Sequence, residues 1–292
     1  MDERHGPLVS CETLFENIED PAWVVFDCRH QLTEPDWGAK QYSKAHIPGA
    51  FRAHVDRDLS GPVGDGRRGR HPLPLAFARF LAVHGVGPDT QVVAYDDAGG
   101  AWAARVWWLA RHHGHPHVAV LDGGLERWKR LGLPLSSGHE RPRRQGAFQG
   151  RPGAMPTVDT AGVEAAVEDG SLRLVDARAA ERFRGESEPV DPVAGHIPGA
   201  VSLPFSGNLG NDGRFLSPDE LRVRYEAAGV AVEGSAVYCG SGVTAAQTVL
   251  AMEVAGLGTP ALYPGSWSEW CRPADGRPVA RVGEDGVRRL VA

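Results

Sequence analysis

The chain is poor in cysteine: Cys11, Cys28, Cys239 and Cys271 are the 4 present in 292 residues, and no Cys-x-x-Cys pair occurs. That excludes a dense disulfide framework and a cysteine-built zinc site, and it points to a reducing compartment, read as the cytoplasm. Nowhere do the ~18 consecutive apolar residues needed for a membrane-crossing helix run together, so no membrane partner is expected. Asp2, Glu3 and Arg4 are not followed by a long apolar segment either, which argues against a leader. Basic stripes are missing. With a formal net charge of -6, the short arginine-rich runs at 67–70 and 141–144 read as solvated loops, and no nucleic-acid partner is expected. The 12 histidines lack ligand spacing with acidic residues, so neither a metal nor another cofactor is expected. His112, His113, His115 and His117 read as an exposed helix end and loop. What remains is an ordinary globular composition, 42% hydrophobic and 23% charged, in a chain long enough for two domains.

One of the four cysteines stands apart. Cys239 closes the apolar run Ser235–Tyr238 and opens Cys239-Gly240-Ser241-Gly242-Val243-Thr244, which leads into an apolar helical stretch at 244–255. Unpaired amides at a helix N-terminus stabilise negative charge, so this position favours a nucleophilic thiolate. Packing alone does not ask for two glycines and two hydroxyl residues after a buried cysteine. A loop curling its amides around a sulfur does, and Gly240 and Gly242 would allow that nest.

The chain also repeats itself. Ala45-His46-Ile47-Pro48-Gly49-Ala50 is answered by Gly195-His196-Ile197-Pro198-Gly199-Ala200, and each copy follows a strand ending in Asp-x-Arg, at Asp27 and Arg29 and at Asp176 and Arg178. Gln91–Tyr95 and Ser235–Tyr238 read as buried strands, followed by helices at 101–112 and 244–255. A third pair, 118–128 and 261–270, ends in Trp128 and Trp270. Strands alternating with helices predict an α/β fold of two tandem domains, each a mainly parallel sheet flanked by helices. The expected limits are 1–140 for the first domain, 141–156 for a linker rich in Gly, Pro, Ser and Arg, and 157–292 for the second, with a tail from 276 onward. Aligning Tyr95 with Tyr238 puts Asp96 where Cys239 stands, so the first domain is expected to be inactive in transfer. Asp27, Arg29, His46, Asp176, Arg178 and His196 occur in both halves and are expected to brace each domain. Trp102, Trp107 and Trp108 are expected to pack in a core or between domains rather than to form a ligand cage.

Paired Asp-x-Arg and His-Ile-Pro-Gly-Ala motifs, with a strand-Cys-loop-helix only in the second half, resemble the two-domain rhodanese sulfurtransferases over nearly the whole chain. The neutral Gly240 and Ser241 make the loop more similar to members that use 3-mercaptopyruvate than to thiosulfate-specific members, which typically carry two basic residues there. The resemblance implies attack by Cys239 on the outer sulfur of a small donor, a persulfide on Cys239, and an acceptor that is a thiol, such as thioredoxin or a low-molecular-weight thiol, or cyanide. It also implies a relay of Ser241, His71 and Asp56, the last two from the first domain, at a cleft between domains. One local departure is His54, where aspartate is expected. Arg182 matches the position that binds the donor's carboxylate, with Gly240, Gly242, Val243 and Thr244 lining the loop; Thr244 reads equally as a helix cap. A second arginine expected nearby is replaced by Val190, which keeps thiosulfate:cyanide transfer as the alternative donor chemistry. A non-catalytic rhodanese-like module would show a degenerate loop, and this loop is intact. A cysteine phosphatase would need an arginine closing the loop, where Ala245 stands.

Overall fold

The computed structural model describes residues 5–63, 69–142, 144–231, 233–283, 286 and 288–291. Asp2, Glu3 and Arg4, with Arg67, Arg68 and Arg143 of the basic runs, lie outside the described residues. The chain forms two compact units. The first comprises Met1–Gly61, Leu73–Met155 and Leu209–Phe215, and the second Pro62–Pro72, Pro156–Asn208 and Leu216–Ala292.

In the first unit, β1 (Leu8–Val9), β2 (Trp23–Asp27), β3 (Phe51–Arg52), β4 (Gln91–Tyr95) and β5 (Val118–Leu121) form a parallel sheet in the order β1-β5-β4-β2-β3. All of β4 and β5 is buried, as continuous apolar strands of a parallel sheet should be. Five helices accompany these strands among the described residues: α1 (Cys11–Asn17), α2 (Trp37–Lys44), α3 (Phe77–Val83), α4 (Ala103–His112) and α5 (Gly124–Arg130). Trp128, Tyr95, Leu125 and Ile47 fill one core cluster, and Trp107 and Trp108 of α4 are fully buried, as expected of core residues. Trp102 is half-buried, edge-on to His30.

The second unit repeats the plan with α6 (Thr160–Asp169), β6 (Arg173–Asp176), α7 (Ala180–Arg184), β7 (Val201–Ser202), α8 (Pro218–Ala227), β8 (Ser235–Tyr238), α9 (Ala245–Val254), β9 (Ala261–Leu262) and α10 (Ser266–Trp270). Its parallel sheet runs β7-β6-β8-β9. Local chemistry sets the helix ends: Asp159 accepts from the Gly162 amide at α6, and Ser217 and Glu220 close a reciprocal capping box at α8, with Pro218 in its first turn. α9 is buried from Ala245 through Met252, and its buried Gln247 accepts from Asn208 Nδ2 at 2.9 Å. The tail forms the antiparallel hairpin β10 (Val279–Val282) and β11 (Arg288–Val291), tied back by mutual amide–carbonyl bonds between Ala280 and His196.

The duplication extends to hydrogen bonds. Asp27 pairs in register with Tyr95 and Asp176 with Tyr238. Arg29 and Arg178 each fork onto the aspartate two residues before them and reach on to a carbonyl, Ala45 and Gly195 respectively. The His46 ring stacks on Tyr42 and bonds its carbonyl at 2.7 Å, while His196 stacks on Phe183 and bonds that carbonyl at the same distance. These six residues brace their own units, as their presence in both halves implied.

Two expectations need correction. The histidines at the end of α4 are not exposed: His112, His113 and His115 are buried. Residues 146–154 are the reason, because Gly146 and Phe148 donate to Ala82 and Val86, and Gly153 and Ala154 both donate to the His112 carbonyl. Burial pushes His112 and His115 down to about 4, so both rings are neutral near pH 7. The second correction concerns His71, which was assigned to the first domain. Its segment, Pro62–Pro72, packs with the second unit, and Leu209–Phe215 packs with the first, where Phe215 donates to Asp122 at 2.9 Å.

Candidate active site

In the second unit the loop after β8 carries the candidate thiol. Gly242 has φ +77°, and a Cβ there would stand 2.4 Å from the Pro264 carbonyl oxygen, so only glycine fits. That turn aims the Gly242 amide at Cys239 Sγ, 3.2 Å away. Cys239 itself is 1% exposed. A neutral donor facing the sulfur is the arrangement that holds a thiolate or persulfide. Gly242→Ala is expected to lower activity at least about tenfold while leaving the rest of the fold intact, because a left-handed Cβ costs ~1–2 kcal/mol and the carbonyl clash must displace the loop. Turnover measured alongside a thermal melt checks this; unchanged turnover would refute the role of the turn.

The loop is anchored from α10. Ser266 accepts from the Cys239 amide at 3.1 Å and donates to Tyr263 O at 2.9 Å, with φ +53°, a left-handed backbone unusual for serine. The Cys239 and Gly240 carbonyls accept from the amides of Trp267 and Ser268 at 3.0 and 2.9 Å. Ser266 escaped the sequence reading. The usable signal was its match to Gly124, which also has φ +53°.

Ser241 Oγ and His71 Nδ1 lie 2.7 Å apart, and both residues are buried. Asp56 belongs to the first unit, where its amide donates to His54 Nδ1 at 3.1 Å and its carboxylate lies 3.8 Å from that nitrogen. Burial lowers His54, so its ring is neutral and free to accept there. Val243 is buried beside the loop, and Thr244 makes no side-chain cap bond to α9, so the capping reading does not hold.

Arg182 donates to both oxygens of Glu188, at 2.5 and 3.2 Å, and to Asp191 at 3.3 Å. Its two terminal nitrogens stand 3.5 and 3.7 Å from the place a Gly240 Cβ would take, and Arg70 Nη2 stands 3.0 Å from the same place. Val190 is 41% exposed and contributes no charge. The carboxylates are what the sequence reading missed. Glu188 also takes Arg178 at 3.2 Å, and Asp191 also takes Arg70, so opposite charges alternate along Asp176, Arg178, Glu188, Arg182, Asp191 and Arg70. Burial alone would raise Glu188, but bonds from Arg182 and from the amides of Asp191 and Val190 hold it below the usual range; burial keeps Asp191 above it despite Arg70 and Arg182. The alternation fixes both arginines beside the thiol loop with balanced charge.

In the first unit the corresponding loop has a different occupant. The Asp96 carboxylate accepts from the amides of Ala98, Gly100, Trp102 and Ala103, at 2.8 to 2.9 Å. That capture explains why α4 begins at Ala103 rather than Ala101. Both the amide nest and the acceptor are built into that chain segment.

Parallel strands ending in one thiol loop, with a hydroxyl–imidazole pair and two guanidiniums beside it, are the features of a two-domain α/β transferase. The rhodanese-like domain family matches residues 10–131 and again 159–273. Over 278 residues the chain is 49% identical to the probable 3-mercaptopyruvate sulfurtransferase of Pseudomonas aeruginosa, covering 94% of this chain and 97% of that one. It is 40% identical to the putative thiosulfate sulfurtransferase SseB of Mycobacterium tuberculosis, covering 96% and 99%. The crystal structure of SseA from Escherichia coli, a 3-mercaptopyruvate sulfotransferase, matches with a TM-score of 0.78 at 32% identity, over 91% of this chain and all of that one. The chain belongs to the rhodanese-like family, and it is a sulfurtransferase that takes sulfur from a small-molecule donor.

Proposed function

We propose that the chain transfers the sulfur of 3-mercaptopyruvate to a thiol or to cyanide through a persulfide on Cys239. The Cys239 thiolate attacks the donor sulfur, the carbon–sulfur bond breaks, and its electron pair passes to carbon as the enolate of pyruvate, which then takes up a proton. The observation that carries this donor is the Ser241–His71 pair, 2.7 Å apart one residue beyond the thiol's neighbour Gly240. Such a pair can deliver a proton to a carbonyl oxygen as it becomes an enolate, and thiosulfate, which leaves sulfite, has no carbonyl to serve. Asp56 is the proposed third member of the relay, Arg182 holds the donor carboxylate, and Gly240, Gly242, Val243 and Thr244 enclose the donor. The domain limits proposed are 1–140 and 157–292, and Asp96 keeps the first domain out of sulfur transfer because its carboxylate occupies the amides that a persulfide would need. Thioredoxin or a low-molecular-weight thiol is the proposed biological acceptor. The four cysteines stand as buried free thiols, which supports a reducing compartment such as the cytoplasm.

Thiosulfate is the second reading, supported by the name of the Mycobacterium tuberculosis relative and by Val190. Steady-state kinetics with each donor separate the two. Wild-type protein is expected to show the higher kcat/KM with 3-mercaptopyruvate, and Arg182→Ala to lose roughly 10- to 100-fold of it, the worth of charge-assisted hydrogen bonds to a carboxylate. A tenfold preference for thiosulfate would overturn the donor assignment.

A further inference from the structure

We infer that Arg70 is a second donor-binding arm of this site and sets its preference for donors that carry a carboxylate, an inference that rests on the 3-mercaptopyruvate reading. Arg70 lies far from Arg182 in sequence, yet its Nη2 is 3.0 Å from the position of a Gly240 Cβ, closer than either terminal nitrogen of Arg182. Gly240 directly follows the thiol. A small group resting over Gly240 therefore meets guanidinium nitrogens from both residues.

The backbone of Arg70 is held as firmly as its side chain. Gly69 has φ +76°, and a Cβ on it would stand 2.6 Å from the Gly265 carbonyl oxygen, so this segment lies directly on the turn that precedes Ser266. The Arg70 amide donates to Ser268 Oγ at 3.1 Å, and the Ser268 amide donates to the Gly240 carbonyl at 2.9 Å. One residue thus ties Arg70 to the thiol loop. At its far end the guanidinium uses Nη1 on Asp191, whose other oxygen takes Arg182. Nη2 is left facing Gly240, and the side chain is 30% exposed, whereas Asp191 is 4% exposed. A partly exposed guanidinium, pinned by a buried carboxylate and with one nitrogen beside the residue that follows the thiol, is organised to meet an incoming anion. It also fits the chemistry of the donor: a carboxylate next to a ketone presents oxygens on two sides, and Arg182 and Arg70 offer donors from two chain segments.

The test compares 3-mercaptopyruvate with mercaptoacetone, which keeps the thiol and the ketone and lacks the carboxylate. The quantity read is the ratio of kcat/KM for the two donors within each variant. Arg70→Ala is expected to lower that ratio roughly 10- to 100-fold, chiefly through a higher KM for 3-mercaptopyruvate. Arg70→Lys, which keeps the charge, is expected to recover part of it. Turnover of mercaptoacetone by the same variant reports that the loop is still assembled, so general damage, which lowers both donors together and leaves the ratio unchanged, overturns the inference. A wild-type preference for thiosulfate overturns the donor reading instead, and it is read in a separate row of the same experiment.

Discussion

Cys239→Ser is expected to lower turnover by about 1,000-fold or more, because the proposed persulfide is a covalent intermediate that a hydroxyl cannot form. Intact-mass measurement after exposure to donor without acceptor should show a gain of about 32 Da, one sulfur, in wild-type protein and none in the variant. No other thiol is placed to substitute. Burial pushes Cys11 up to about 11 and Cys271 up to about 12, and it holds fully buried Cys28 far above the ordinary range, so all three are neutral thiols near pH 7. Cys271, beside buried Trp270, is 3% exposed. A Cys239→Ser protein that still gains sulfur, or still turns over at more than about 1% of the wild-type rate, would remove the thiol from the mechanism.

Asp176→Asn and Asp27→Asn make a matched pair with unequal expected consequences. Each aspartate is fully buried and holds a nearly buried arginine, so each substitution leaves a buried guanidinium without its charge partner, a change that typically costs ~3–5 kcal/mol. Urea unfolding followed by tryptophan fluorescence should show a comparable loss in both variants, with the transitions resolved separately because two domains need not unfold together. Activity at low temperature, where both variants remain folded, should diverge. Asp176 begins the alternation of charges that ends at Arg182 and Arg70, so freeing Arg178 lets it compete for Glu188 and loosens Arg182. Arg29 in the first unit forks onto Asp27 and reaches the Ala45 carbonyl, and takes no part in that alternation. Equal losses of activity in the two variants would show that the ladder positions nothing.

The architecture was legible because its signals are local and repeated. Buried apolar strands, the Asp-x-Arg pairs and the two His-Ile-Pro-Gly-Ala turns each predict a piece of structure, and the duplication checks every piece against a second copy. Cys239 was legible for the same reason, since the glycine that its loop needs at φ +77° is visible in the sequence. The rest depended on residues distant along the chain. Val190 suggested that a second arginine was missing, but nothing local says that Arg70, 112 positions before Arg182, folds against Gly240. The α4 histidines failed for a related reason: a polar sequence at a helix end reads as solvated, and it was buried by a later stretch whose own lack of periodicity disguised its packing. Ser266 was hidden because a serine at positive φ contradicts its local preference, and only the comparison with Gly124 exposes the requirement.

The exchange of short segments between the two units has a consequence for how separable the halves are. Each unit has its own sheet and core, which invites treating the chain as a tandem of independent modules that could be severed at residues 141–156 or recombined with other partners. Severing it there would leave Cys239 on a fragment without Arg70 and His71, although these lie within that fragment's own compact unit. The first fragment would in turn lack Leu209–Phe215. Duplication produced two similar bodies, but the compact unit that holds Cys239 is not one continuous stretch of chain, so a cut at 141–156 divides it and would separate Cys239 from the Pro62–Pro72 segment.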